Sequence, residues 1–151
     1  MEPHIVPSVE DWGEQGDLDE QYAREIFLGK TLAEVKPDFE RCVLERSDEL
    51  RYVAPIPFQY YIFAFRNFVL SPELIHDESA SSWTSDAASS FLNLIEEKLE
   101  TARDHIRPIM PDLMPAIEYV ATHQALYKAN EEIYGSFSEK LEKIKKLYEK
   151  A

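Results

Sequence analysis

The sequence predicts an all-α fold, a single-domain irregular bundle of five or six helices preceded by an extended acidic arm. Three observations carry this. Four Gly stand against 30% charged residues, a balance that suits helices on short connections better than a turn-rich β architecture. Apolar residues make up 44% of the 151, enough to fill one core at the commonest single-domain size. Apolar positions also recur at helical spacing in successive segments, most of them opened by a capping residue.

Residues 1–16 hold Pro3, Pro7, Gly13 and Gly16 without a helical period and read as the arm; residues 17–151 form the helical domain. Asp17 and Glu20 pair as a cap, Tyr22, Ala23, Ile26 and Phe27 form an apolar face, and Gly29 stops it, which predicts a helix over 18–28. Thr31 with Glu34 repeats the signature. Leu32, Val35, Phe39, Cys42 and Val43 then keep helical phase across Pro37, where the missing amide predicts a kink or a split. Residues 47–54 are ambiguous and fit a short extended piece. Pro55 and Pro57 open the segment 58–70, apolar on nearly every side and therefore the central helix. The polar stretch 71–85, with five serines, reads as one long mobile loop. Ala88, Phe91, Leu92, Ile95, Leu99 and Ala102 line the next helix, to about 103. Pro108, Pro111 and Pro115 precede one over about 112–134, and Ser136 with Glu139 caps the last.

The net charge of -13 is uneven. Residues 1–50 hold 14 acids and 5 bases, residues 51–138 hold 12 and 6, and residues 139–151 hold 3 and 5. Such a surface repels phosphate backbones and attracts cationic partners over about 8 Å at physiological salt. The apolar run from Tyr60 is interrupted at Arg66 and Asn67, short of the roughly 20 residues a bilayer requires. The start, Met1-Glu2-Pro3-His4, lacks the basic and apolar regions of a secretory signal, so the expected location is the cytoplasm. One cysteine, Cys42, allows neither an internal disulfide nor a thiolate zinc cage.

No motif carries catalysis. Gly29-Lys30-Thr31 resembles the end of a phosphate-binding loop, but Arg24 stands where the earlier glycine is required, and a helix stop followed by a new cap explains all three residues. Glu96, Glu97 and Glu100 read as a solvated helix face, and His76-Asp77-Glu78 as a weak cation cluster at most. Cys42 lies on an apolar stripe and reads as a buried, inert thiol. Tyr60, Tyr61, Phe63, Phe65 and Phe68 read as core. Trp12 either folds back onto the domain or anchors in a partner's pocket. No metal or cofactor is expected.

The runs FLGKTLAEV (27–35), PFQYYIFAFRNFVLS (57–71) and SDAASSFLNLIEEKLE (85–100) resemble a pattern of small, uncharacterised bacterial α-helical proteins. In that pattern an aromatic Tyr-Tyr helix precedes a variable loop and an Asp-Ala-Ala-Ser helix start. The resemblance spans residues 20–103 and implies bacterial origin and an α-helical fold, with no catalytic residues to carry over. Proteins of this kind include many immunity and inhibitor proteins. The leading expectation is therefore a non-enzymatic acidic binding protein, of immunity or inhibitor type, that covers a cationic site on a toxin or nuclease. Its expected contact patch is Glu10, Asp11, Trp12, Glu14, Asp17, Asp19 and Glu20. Two alternatives stand beside it: a homo-oligomeric adaptor that self-associates through the stripe Phe137, Leu141, Ile144, Leu147 and Tyr148, and a metal-dependent enzyme built on the 76–78 cluster.

Overall fold

The computed structural model describes residues 3–14, 16–77 and 83–150, and these form a helical bundle without a strand among the described residues. The helices are α1 (Val9–Trp12), α2 (Leu18–Phe27), α3 (Leu32–Arg41), α4 (Val43–Leu50), α5 (Pro55–Val69), α6 (Pro72–Ile75), α7 (Thr84–Thr101), α8 (Arg103–Ile106), α9 (Met110–Thr122), α10 (Glu131–Tyr134) and α11 (Phe137–Glu149), with a 3₁₀ turn over Arg107–Ile109. No described helix is long and apolar enough to cross a membrane.

Helix α5 is the axis. Phe58, Tyr61, Ile62, Phe63, Phe65 and Val69 point in different directions around it, yet all are buried. The chain covers them from α1, α3, α4, α7, α8 and α9 in turn. Ring contacts run from Phe27 through Tyr61, and from Phe39 through Phe65 to Phe91. Two of the tyrosine hydroxyls in this core each find a carbonyl. Tyr61 donates to Phe27 at 2.5 Å, at the end of α2, and Tyr127 donates to Val69 at 2.6 Å, at the end of α5. Aromatic bulk thereby fills the core while the polar tip closes a helix end.

Three expectations about elements change. The helix across Pro37 does not split there. α3 runs to Arg41 and breaks at Cys42, whose backbone is extended. Pro37 removes one bond, to the carbonyl of Ala33; both residues are exposed, so water is at hand for that oxygen. Cys42 is consequently half-buried at a junction instead of sealed on a stripe. The helix predicted over 112–134 ends at Thr122, and turns follow until Asn130 caps α10. Gln124 holds this connection, donating to the carbonyls of Ala129 and Gly135 and accepting from the amide of Phe137. The stretch 71–85 is also not one loop, since Ser71 caps α6 and α7 starts at Thr84; the serines at 79, 81 and 82 lie outside the described residues. With these breaks the chain has seven helices of eight residues or more among the described residues, where five or six were expected.

The N-terminal segment is not simply extended. Ser8 and Asp11 form a reciprocal capping box that closes α1, and Trp12 at its end is 2% exposed. Its ring lies 6.1 Å from Tyr61 and 5.8 Å from the Arg24 guanidinium. Arg24 Nη2 donates to the carbonyls of Trp12, Gly13 and Glu14 and pairs with Glu20 at 2.6 Å, while Glu20 also accepts from the amide of Gly16. Gly13, at φ 74, makes the turn that brings these carbonyls together. Of the two readings of Trp12, the structure adopts the one in which it folds back onto its own domain.

Trp12→Ala should therefore act as a core truncation and lower unfolding free energy by about 3 kcal/mol in urea titration. A loss within about 0.5 kcal/mol, as for a surface position, would contradict this placement.

Candidate functional site

Helix α4 lies between α2 and α7 and carries two different faces. Val43, Arg46, Ser47 and Leu50 turn inward and are buried, whereas Leu44, Glu45, Asp48 and Tyr52 are exposed. An arginine on the inward face must be answered by acids. The Arg46 guanidinium, 2% exposed, grips Glu49 through Nε and Nη2 at 2.5 and 2.9 Å. It also donates to Glu45 at 3.2 Å and to the carbonyl of Asp38 at 3.3 Å. The Asp38 carboxylate in turn pairs with Lys30 and Arg41. Burial lifts the Glu49 carboxyl above the ordinary carboxylate range; Arg46 pulls it back, and the charges of Glu45 and Asp38 add to the rise. Burial works against the Arg46 charge, but Glu49, Glu45 and Asp38 together hold its pKa above the usual arginine value.

This network ties down the floor of a groove between α2 and α4. Asp19 and Tyr22 line it from α2, one turn apart; Glu45, Asp48, Glu49 and Tyr52 line it from α4 and the turn after it, at helical spacing. The groove holds about 230 Å³ and is lined by four carboxylates and two tyrosines; Glu45 and Glu49 pair with Arg46 and Asp48 with Arg51, although neither arginine is among the lining residues. Tyr22 is 55% exposed and Tyr52 40%. The Asp19 carboxylate has no partner among the described residues. Leu18, one turn before Tyr22, is also exposed. A carboxylate-lined groove with aromatic faces suits an ammonium or guanidinium group, since both carboxylates and ring faces attract cations.

The groove on the other side of α4 differs. Leu44, Ser47, Asp48, Arg51, Ser90, Asn93, Leu94 and Glu97 line it. Arg51 spans it, with Nε and Nη2 each 2.7 Å from the Glu97 carboxylate and Nη1 3.0 Å from Asp48. A cation of the chain's own already neutralises that side.

The residues expected to form a contact patch do not come together as one. Trp12 is in the core, Glu20 is buried against Arg24, and Asp11 caps α1. Glu10, Glu14 and Asp17 are exposed, and Asp17 caps α2. Only Asp19 lines the α2–α4 groove. Tyr22, read as a core position, is exposed beside it. Glu45, Asp48, Glu49 and Tyr52 were missed, although their spacing of three, one and three residues marks one helical stripe running through the segment read as ambiguous.

The remaining chemistry-bearing residues assemble nothing comparable. Among the described residues no three His, Cys, Asp or Glu converge as metal ligands; Glu78, of the loop cluster, lies outside the described residues. Gly29 at φ 80 ends α2 and Thr31 caps α3, as read from the sequence. The apolar stripe of α11 is spent on α7 and α9 of its own chain, with Phe137, Leu141, Ile144 and Leu147 all buried. Compared with known protein families, with characterised proteins and with solved structures, the chain matches none.

Arg46→Met should cost about 3 kcal/mol, because it leaves the buried Glu49 carboxylate without its cation, and Arg46→Met with Glu49→Leu should restore most of that loss. Equal losses in the single and double variants, by denaturant titration, would mean that the pair does not act as a unit.

Proposed function

We propose that this protein is a non-enzymatic binding module whose acidic face captures a cationic partner protein, with the α2–α4 groove at the centre of contact. One observation supports this reading above the others: four carboxylates and two exposed tyrosines line a groove that, among the described residues, has no cationic side chain in its lining. The net charge of -13 extends the same field over the surface and speeds the approach of a cationic partner. Tyr22 and Tyr52, with Leu18 beside them, offer the apolar contact that charge alone lacks. Within this class the role is that of an immunity or inhibitor protein that covers a cationic site on a toxin or nuclease. No observation favours self-association through α11, whose apolar stripe is already covered.

The two kinds of groove residue should separate kinetically. Tyr22→Ala and Tyr52→Ala should each speed dissociation about tenfold or more, as loss of an aromatic anchor does. Asp19→Asn with Asp48→Asn should mainly slow association and flatten its salt dependence. The measurement is surface plasmon resonance against a cationic partner recovered by affinity purification on the wild-type protein. Wild-type kinetics in all these variants, or recovery of no cationic partner, would overturn the proposal.

A further inference from the structure

One lysine interrupts the apolar stripe of α7. Phe91, Ile95 and Ala102 lie seven and three residues before Lys98 and four after it, so helical phase carries its side chain inward with theirs. Lys98 is 3% exposed. Its Nζ lies 4.8 Å from the centroid of the Phe58 ring and donates to the carbonyl oxygen of Arg51 at 3.2 Å. Arg51 is the C-cap of α4, so the ammonium meets the negative end of that helix's dipole. The charges that face it are the Arg51 guanidinium, the adjacent Glu97 and His105 from α8, with Asp104 beside His105; α5 contributes the ring of Phe58. Burial holds the Lys98 pKa down to about 8, with Glu97 opposing the fall and Arg51 adding to it. Tyr52 follows Arg51 directly, and the Arg51 guanidinium lies 5.9 Å from the centroid of its ring. The capped carbonyl and the guanidinium thus belong to the residue directly before Tyr52, the only one of these residues that lines the α2–α4 groove.

We propose that Lys98 is a positioning residue for the α2–α4 groove: its buried ammonium fixes the end of α4 through the Arg51 carbonyl and so holds Tyr52 as a wall, and its deprotonation loosens that wall and weakens capture of a cationic side chain. This rests on the groove being the capture site. The sign of the effect is diagnostic. Removing a positive charge near an acidic groove would, by field alone, strengthen cation binding; weakening with rising pH is the mark of positioning. A neutral amine still reaches the carbonyl, but a charge-assisted bond is roughly twice as strong. General unfolding does not mimic the effect. A lysine whose folded pKa lies below its unfolded value leaves the folded state with fewer protons, so its contribution to stability rises as pH climbs from about 8 toward the ordinary lysine value.

The test uses the full labelled chain at pH 7 to about 9.5, with nuclear magnetic resonance of the Lys98 ammonium and the Tyr52 ring, and an acetylated, amidated tetra-arginine peptide as probe. The Tyr52 ring resonances should show a step that follows the Lys98 titration, with a midpoint of about 8, and should show no step there in Lys98→Met or in Lys98→Arg. Absence of that step in the wild type overturns the proposal whatever the peptide does. Peptide affinity should fall about fivefold across the range in the wild type, remain weak and constant in Lys98→Met, and remain tight and constant in Lys98→Arg, which keeps its charge throughout. Affinity that holds or rises with pH in the wild type also overturns it. If the peptide fails to bind at pH 7 while Tyr52 still follows Lys98, the capture reading falls and the structural link from Lys98 to Tyr52 stands.

Discussion

A helix that is apolar on nearly every side must be covered on nearly every side, and α5 imposes that demand on the whole chain. Burying one large apolar side chain is worth about 1.5–3 kcal/mol, and α5 buries eight of them, with Phe58, Tyr61, Ile62, Phe63, Phe65 and Val69 fully or almost fully removed from solvent and Tyr60 and Phe68 nearly so. The neighbours are recruited accordingly. α3 and α7 supply Phe39 and Phe91, and the N-terminal segment closes over Tyr61 with Trp12. Trp12 is thus explained by a gap in the cover of α5, and Arg24 keeps it there by gathering the carbonyls that follow.

The electrostatic organisation rests on that packing. α4 is held from beneath by two cations of the chain's own, Arg46 on its inward face and Lys98 at its C-terminal carbonyl. Both sit where apolar side chains would otherwise be. Their effect is to fix a short helix whose outward face carries Glu45 and Asp48, both exposed and each also paired with an arginine of the chain. The contrast between the two flanking grooves follows largely from one residue: Arg51 crosses to Glu97 of α7 while also reaching Asp48, so that the α2 side has acids but no cationic side chain in its lining.

The fold class, the central position of α5 and most helix starts were legible in the sequence, because they depend on local signals. The pairs Asp17/Glu20, Thr31/Glu34 and Ser136/Glu139 each mark a helix start that the structure retains. Breaks set by distant contacts were not legible. Nothing local to residues 123–129 says that Gln124 will bridge three backbone groups or that Tyr127 will reach Val69. The groove was half legible. Its α4 stripe is visible as Glu45, Asp48, Glu49 and Tyr52, but the element it belongs to was ambiguous, and its pairing with Asp19 and Tyr22 exists only once α2 and α4 are packed. Trp12 among acids left two readings open, a fold-back onto the domain or an anchor in a partner's pocket, because sequence proximity shows charge and hides the core beneath. Lys98 stands in phase with Phe91 and Ile95, a spacing visible in the sequence, but its burial shows only in the structure.

The claim that the α2–α4 groove receives cations is tested most directly by mapping amide shifts in the labelled protein as the tetra-arginine peptide is added at pH 7. The perturbed amides should cluster around Asp19, Tyr22, Glu45, Asp48, Glu49 and Tyr52, and the shifts should fade together as salt is raised. Perturbations centred on Glu10 and Glu14, on Glu96 and Glu100, or spread evenly over the acidic surface would contradict it.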